Sequence, residues 1–127
     1  MPNDLIMVID DERSVLQALH ILLEAWGFRV LAAESETDAI DRIADAGEPP
    51  SLILADYRLR EGRTGLEAIQ RILESAGHPI PSIIITGDTS TEALDEARAR
   101  GVPVLQKPVM PPYLHSMVTQ TLRQAGG

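Results

Sequence analysis

Cysteine is absent from the sequence. Its absence removes a disulfide frame, a thiolate nucleophile and a thiolate metal site from consideration, and it fits a reducing compartment. Long hydrophobic runs are missing too: no stretch approaches the ~20 apolar residues that cross a bilayer, and the first residues lack the charged-then-apolar design of a signal peptide. A cytoplasmic protein with no membrane insertion is therefore expected. Basic residues are outnumbered, 11 against 19 acidic ones, for a net charge of -8. Non-specific nucleic-acid binding rests on clustered Lys and Arg, so no direct nucleic-acid partner is expected. Lysine is the scarcest charged type, since Lys107 is the single lysine among the 11 basic residues. Coding bias toward arginine leaves such a residue by chance; a need for a compact point charge leaves it by function.

What is present is an alternation of strand and helix patterns. The 127 residues, 44% hydrophobic and 24% charged, suit a soluble chain with one sizeable core. Residues 1–127 read as a single domain without repeat, linker or low-complexity tract. Asp4 to Ile9 is a first strand, and Asp10-Asp11-Glu12-Arg13 turns into a helix. Its apolar residues Val15, Leu16, Leu19, Leu22, Leu23 and Trp26 keep helical spacing until Gly27 stops it. Phe28 to Ala32 is a second strand; Ser35, with Asp38 three residues on, caps a second helix through Ile40 and Ile43 to Gly47. Ser51 to Asp56 is the central strand. The stretch Tyr57 to Gly65 is polar and aperiodic, hence a loop, and Leu66, Ile69, Ile72 and Leu73 make the third helix.

Ser82 to Ile85 is a fourth strand and Gly87-Asp88 a turn, after which Thr89-Ser90-Thr91-Glu92 carries a capping-box pattern. The helix it opens, through Leu94 and Ala97 to Gly101, has a thin apolar stripe and is expected to shift readily. Val102 to Gln106 is the fifth strand, and Pro111-Pro112 opens a last helix with Leu114, Met117, Val118 and Leu122.

Continuous apolar runs separated by helices describe a parallel sheet buried on both faces. Short right-handed crossovers then make an α/β fold the simplest solution, a flavodoxin-like, doubly wound, five-stranded parallel sheet of order 2-1-3-4-5 in a three-layer α/β/α sandwich. Open sheets of this kind bind ligands at the carboxyl ends of their strands. There this chain places Asp10, Asp11, Asp56, Thr86 and Lys107. With strands 1 and 3 adjacent, the three carboxylates meet and repel, so their ionised form needs a cation. Hard oxygen ligands suit Mg²⁺.

A carboxylate so placed can attack phosphorus and form an acyl phosphate. The loose transition state needs charge neutralisation more than bond-making groups. Mg²⁺ would supply part of it, Lys107 an ammonium and Thr86 a hydroxyl donor. Asp56 and Lys107 are thus the candidate catalytic pair. Plainer readings exist for each residue: a strand-end Asp often caps the next helix, Asp11 or Glu12 can cap the first one, and Thr86 can be an ordinary turn residue. The arginines of the loop from 57 to 63 are expected to be solvated. His20, His78 and His115 share no ligand spacing and receive no role.

Ile9-Asp10-Asp11-Glu12, a strand-terminal Asp56, Ile85-Thr86-Gly87 and Lys107-Pro108, in this order and at these spacings, resemble the receiver domain of two-component response regulators. The resemblance covers essentially the whole chain. It implies Asp56 as phosphoacceptor, Asp10 and Asp11 as Mg²⁺ ligands with Asp56, the main-chain carbonyl of Arg58 completing the metal shell, Thr86 as switch hydroxyl and Lys107 as the phosphate-contacting lysine. It further implies a histidine kinase or histidine phosphotransfer domain as donor and phosphorylation that switches a protein-interaction surface. The chain would be an acceptor and autodephosphorylating switch, not an enzyme with its own substrate. The resemblance also allows a homodimer through the helix 4, strand 5 and helix 5 face.

Two departures stand out. Receivers commonly carry an aromatic ring shortly before the lysine, where this chain has Leu105 and no aromatic, and a proline where it has Arg60. Asp56-Tyr57-Arg58-Leu59-Arg60 with Thr86-Gly87-Asp88 is most similar to the receivers at the C-terminus of hybrid sensor histidine kinases. Two alternatives remain: a small Mg²⁺-dependent phosphatase or phosphotransferase, which usually shows an Asp-x-Asp pair absent here, and a pseudo-receiver that only binds partners.

Overall fold

Leu5–Ile9 (β1) is apolar at every position, and such a strand is stable only between two layers. In the computed structural model, which describes residues 3–59, 62–87 and 91–126, all of β1 is buried, as are Leu52–Asp56 (β3) and Ser82–Thr86 (β4). Arg29–Ala33 (β2) and Val104–Gln106 (β5) are the more exposed edges. The strands pair in parallel in the order β2-β1-β3-β4-β5. Helices Arg13–Ala25 (α1), Glu36–Ala46 (α2), Gly65–Ala76 (α3), Thr91–Ala99 (α4) and Pro111–Gly126 (α5) alternate with them. This is the doubly wound, flavodoxin-like sandwich expected. Among the described residues, no helix is long and apolar enough to cross a membrane.

Successive strand residues point to opposite faces, and the core divides accordingly. Met7, Ile9, Ile53, Ala55 and Ile84 pack with Ala39 of α2, Leu66, Ile69 and Ile72 of α3, and Ala93 and Ala97 of α4. Ile6, Val8, Leu54, Ile85 and Leu105 face the other way, against Leu16, Leu19 and Leu23 of α1 and Leu114 and Val118 of α5. Trp26 meets the His115 ring edge-on at 4.7 Å, so that histidine serves packing between α1 and α5.

Element ends differ from expectation where a backbone donor has a better partner. Phe28 does not start β2, because its N–H donates to the Leu23 carbonyl and closes the end of α1; the strand runs one residue later, through Ala33. Val102 is likewise lost from β5, its N–H going to Ala97 at the end of α4 (2.9 Å), while Pro103 has no N–H to pair. β4 extends to Thr86. α3 begins inside the stretch read as loop: Thr64 Oγ1 accepts from the Glu67 N–H (3.2 Å) and the Glu67 carboxylate accepts from the Thr64 N–H (2.8 Å), a reciprocal cap. The cap expected at Thr89 and Ser90 lies outside the described residues, as do Arg60, Glu61 and Asp88.

The thin stripe of α4 is seen directly, since the buried side chains among its described residues are two alanines, Ala93 and Ala97. α3 instead buries Leu66, Ile69 and Ile72. Few apolar contacts mean a low free energy of local opening. Backbone amides of α4 are therefore expected to exchange with deuterium at least about tenfold faster than those of α3. Equal protection of the two helices would contradict this reading.

Candidate functional site

The central strands end side by side. Ile9 pairs in register with Ala55, and Asp56 with Ile85. Sheet-like bonds run past the strand ends: Asp10 N–H donates to the Ala33 carbonyl (3.1 Å), Tyr57 N–H to Ile85 (2.8 Å) and Lys107 N–H to Thr86 (2.9 Å). Residues far apart in sequence are thereby held at one edge. Asp10 is 2% exposed, Asp56 8% and Thr86 2%.

Asp10, Asp11 and Asp56 each offer a carboxylate oxygen, all within 4.8 Å of one another. Lys107 Nζ lies 3.2 Å from Asp56 Oδ1 and 3.8 Å from Asp10 Oδ2. Asp56, Arg58, Thr86, Gly87 and Lys107 line one open cleft. Asp10 Oδ1 also accepts the Glu12 N–H (2.9 Å), and Glu12 occupies the N-cap position of α1 with no side-chain hydrogen bond there. The plainer reading of Glu12 as a side-chain cap of α1 is thus not met. The helix-start donor is met instead by the buried acid two residues earlier.

Burial pushes the Asp10 carboxyl up to about 6; the Glu12 N–H and Lys107 oppose the rise, and the charges of Asp56 and Asp11 add to it. Burial raises Asp56 as well, against the pull of Lys107. Partial burial works against the Lys107 charge, but Asp56 and Asp10 outweigh it and hold the ammonium above its ordinary value. One ammonium among three converging carboxylates leaves excess negative charge in a desolvated place. The donors are all hard oxygens, so this residue set fits a divalent cation such as Mg²⁺.

The histidines stay apart from this cluster. His20 pairs with Glu24 on α1 (3.2 Å), and His78 Nδ1 lies 3.0 Å from the Pro79 carbonyl. The described arginines of the loop, Arg58 and Arg63, are exposed as expected; Arg58 lies over the Tyr57 ring at 5.6 Å, and Arg63 pairs with Glu36. The clamp of Glu36 between Arg63 and Arg71 carries no sequence signal, because α2 and α3 meet only in the fold.

A sequence model of the response regulator receiver domain matches residues 6–119. The chain belongs to this family. Among the receiver's relatives, the phyllosphere-induced regulator PhyR of Methylorubrum extorquens is 31% identical over 124 residues, covering 92% of this chain and 43% of that protein. The transcriptional regulatory protein ZraR of Klebsiella oxytoca is 31% identical over 96 residues, covering 76% of this chain and 21% of its own length. The receiver thus spans less than half the length of these relatives. Among solved structures, a response regulator receiver domain from Clostridium thermocellum superposes with a TM-score of 0.84 at 26% identity, covering 97% of both chains. The receiver domain of PhyR from Erythrobacter litoralis gives 0.78 at 26% identity, with 96% of this chain and 92% of that one covered.

Gly65 packs directly against the backbone that carries Asp56 in this receiver. Its N–H donates to the Tyr57 carbonyl (2.7 Å), and a Cβ there would overlap the Asp56 carbonyl oxygen and stand 2.9 Å from Ile84 Cδ1. Backbone cannot yield as a side-chain tip can. Gly65→Ala is expected to destabilise the fold by about 1–3 kcal/mol in denaturant unfolding. A loss below about 0.5 kcal/mol, the usual scatter of uneventful substitutions, would show that α3 moves away freely.

Proposed function

We propose that this receiver accepts a phosphoryl group on Asp56 from the phosphohistidine of a histidine kinase or histidine phosphotransfer domain, and that the modified edge switches a protein-interaction surface. The observation that carries this reading is the Lys107 ammonium 3.2 Å from Asp56 Oδ1 inside a three-carboxylate cluster. In the transfer, an Asp56 carboxylate oxygen forms the new O–P bond as the P–N bond breaks, and the departing imidazole takes up a proton. Lys107 neutralises a phosphoryl oxygen, and the Thr86 hydroxyl, at the end of β4 on the same cleft, donates to another. Asp10, Asp11, Asp56 and the main-chain carbonyl of Arg58 are the proposed Mg²⁺ ligands. The ion, when bound, supplies charge neutralisation at the transferring group.

After transfer the added charge lies where α4 begins, and movement of Thr86 toward it biases α4 and β5 between two arrangements. A partner that prefers one of them receives the signal, and a homodimer through α4, β5 and α5 is one such pairing. The chain is proposed to act as an acceptor that also sheds its phosphoryl group, in the cytoplasm, with residues 1–127 forming one receiver unit. Two parents for that unit can be weighed. The loop sequences around Asp56 and Thr86 favour a hybrid sensor histidine kinase; PhyR, ZraR and PhoB, all regulators by name, favour a regulator, and the match to PhyR, over 92% of this chain, carries more residues than the loops do.

Incubation with acetyl phosphate and Mg²⁺, followed by intact-mass measurement, tests the reading. A gain of one phosphoryl group that needs Mg²⁺ and is removed by hydroxylamine, as an acyl phosphate is, supports it. No gain with acetyl phosphate and no binding of a beryllofluoride complex would replace it with the pseudo-receiver.

A further inference from the structure

Glu36, in the first turn of α2, is a partly buried acid that the phosphoryl chemistry does not use. Its side chain is 13% exposed and stands between two guanidiniums, with Arg71 Nε 3.3 Å from Oε2 and Arg63 Nη1 3.8 Å from Oε1. Oε1 is buried and has no hydrogen-bond partner among the described residues. The charge of Arg63 is therefore what that oxygen answers to, and a desolvated carboxylate oxygen answers strongly.

Arg63 is in turn tied to the chain that leaves Asp56. Its carbonyl accepts the Leu59 N–H (2.9 Å), Arg58 and Thr64 form an antiparallel bridge, and the Gly65 N–H reaches the Tyr57 carbonyl (2.7 Å). Residues 57–59 and 63–65 thus form a paired stem, and a displacement of Arg63 is passed to Arg58. Arg71 lies on α3 and ties α2 to that helix. The two ion pairs of Glu36 consequently have different addressees, one the helix layer and the other the stem beside Asp56.

We infer that Glu36 is a positioning residue for the metal site: through Arg63 it holds the stem so that the main-chain carbonyl of Arg58 keeps its place relative to Asp56. This rests on the Mg²⁺ site proposed above. Removing the carboxylate leaves Arg63 and Arg71 without the charge between them, and their mutual repulsion displaces the stem.

Calorimetric titration with Mg²⁺ on the purified chain tests this, comparing wild type with Glu36→Gln, Arg63→Gln, the double variant and Arg71→Gln, each checked for folding by circular dichroism. Glu36→Gln and Arg63→Gln are expected to weaken Mg²⁺ binding about 3- to 10-fold, less than the ~10- to 100-fold seen for groups that orient a ligand directly. The double variant should be no weaker than either single one, since both remove one shared interaction. Arg71→Gln should lower Tm while leaving Mg²⁺ affinity within about twofold, as expected of a group that ties only the helix layer.

Wild-type affinity in both Glu36→Gln and Arg63→Gln, additive effects, or an equal loss in Arg71→Gln would each overturn the inference and leave Glu36 a helix clip. Should Glu36→Gln not fold, Arg63→Gln carries the test alone, its side chain being 46% exposed. If the wild type itself binds no Mg²⁺, the proposed metal site is wrong and the inference falls with it, an outcome distinct from normal binding by the variants.

Discussion

Asp56→Ala is expected to reduce phosphoryl incorporation from acetyl phosphate to background, while the variant stays folded. Its side chain ends in a cleft, not in the packed core, since the cluster that holds β3 in place is made by Ile53, Ala55, Leu52 and Leu54. The other two acids of the cluster do not replace it. Lys107 Nζ is 3.2 Å from Asp56 but 3.8 Å from Asp10, and Asp10 already spends one oxygen on the Glu12 N–H. Nucleophilic attack also needs an oxygen facing incoming phosphorus, which the open cleft lined by Asp56, Thr86 and Lys107 provides. Intact mass and peptide mapping check this. Undiminished incorporation in the variant would transfer the acceptor role to Asp11 or Thr86 and with it the assignment of the whole site.

Asp10→Asn is expected to make the metal-free protein more stable at neutral pH and to cripple Mg²⁺ binding. Burial raises the Asp10 carboxyl from 3.8 to about 6 in the fold. Between those values the native chain binds more protons than the unfolded one, so this group's contribution makes stability fall as pH rises through the window. Above about 6 the whole penalty of an ionised, buried carboxylate is present, amounting to about 3 kcal/mol at most.

Asparagine removes that charge yet keeps an oxygen for the Glu12 N–H. Denaturant unfolding with EDTA should therefore show Asp10→Asn more stable than wild type near pH 7, with the gain shrinking toward about pH 5 as the wild-type carboxyl takes up its proton. Added Mg²⁺ should stabilise the wild type and not the variant, through mass action on the native state alone. Loss of a charged ligand is expected to weaken Mg²⁺ by more than the ~10- to 100-fold typical of losing a group that merely orients one. A variant no more stable than wild type in EDTA at neutral pH would show that solvent or a neighbouring cation already meets the cost of that buried charge.

These two expectations rest on residues whose convergence was readable before any coordinates. β1, β3 and β4 had to be continuous apolar runs because both their faces are covered, and the residue that ends such a run has to emerge at the sheet edge. That logic places Asp10, Asp56 and Thr86 together without knowledge of any contact. The sequence of strand and helix periods, with right-handed crossovers, then leaves few strand orders to choose from.

Edge elements were less legible. Phe28 and Val102 are apolar and adjoin strand patterns, yet their N–H groups bond to Leu23 and Ala97 at the ends of the preceding helices. Which of two nearby acceptors wins is a matter of distance in the fold, and residue type does not encode it. Thr64 and Glu67 do spell a reciprocal cap, masked by the polar, aperiodic stretch around them.

By itself, then, the amino-acid sequence determined the layers, the strand edge and the set of groups that meet there, since burial periodicity and strand-terminal position are local properties. Only the tertiary structure decided the rest: that Asp10 bonds forward to Glu12, that Gly65 must lack a side chain beneath the Asp56 carbonyl, and that Glu36 stands between Arg63 and Arg71. Each of those depends on how two elements remote in sequence approach within a few ångströms, a distance set by the packing of the whole core and written at no single position of the chain.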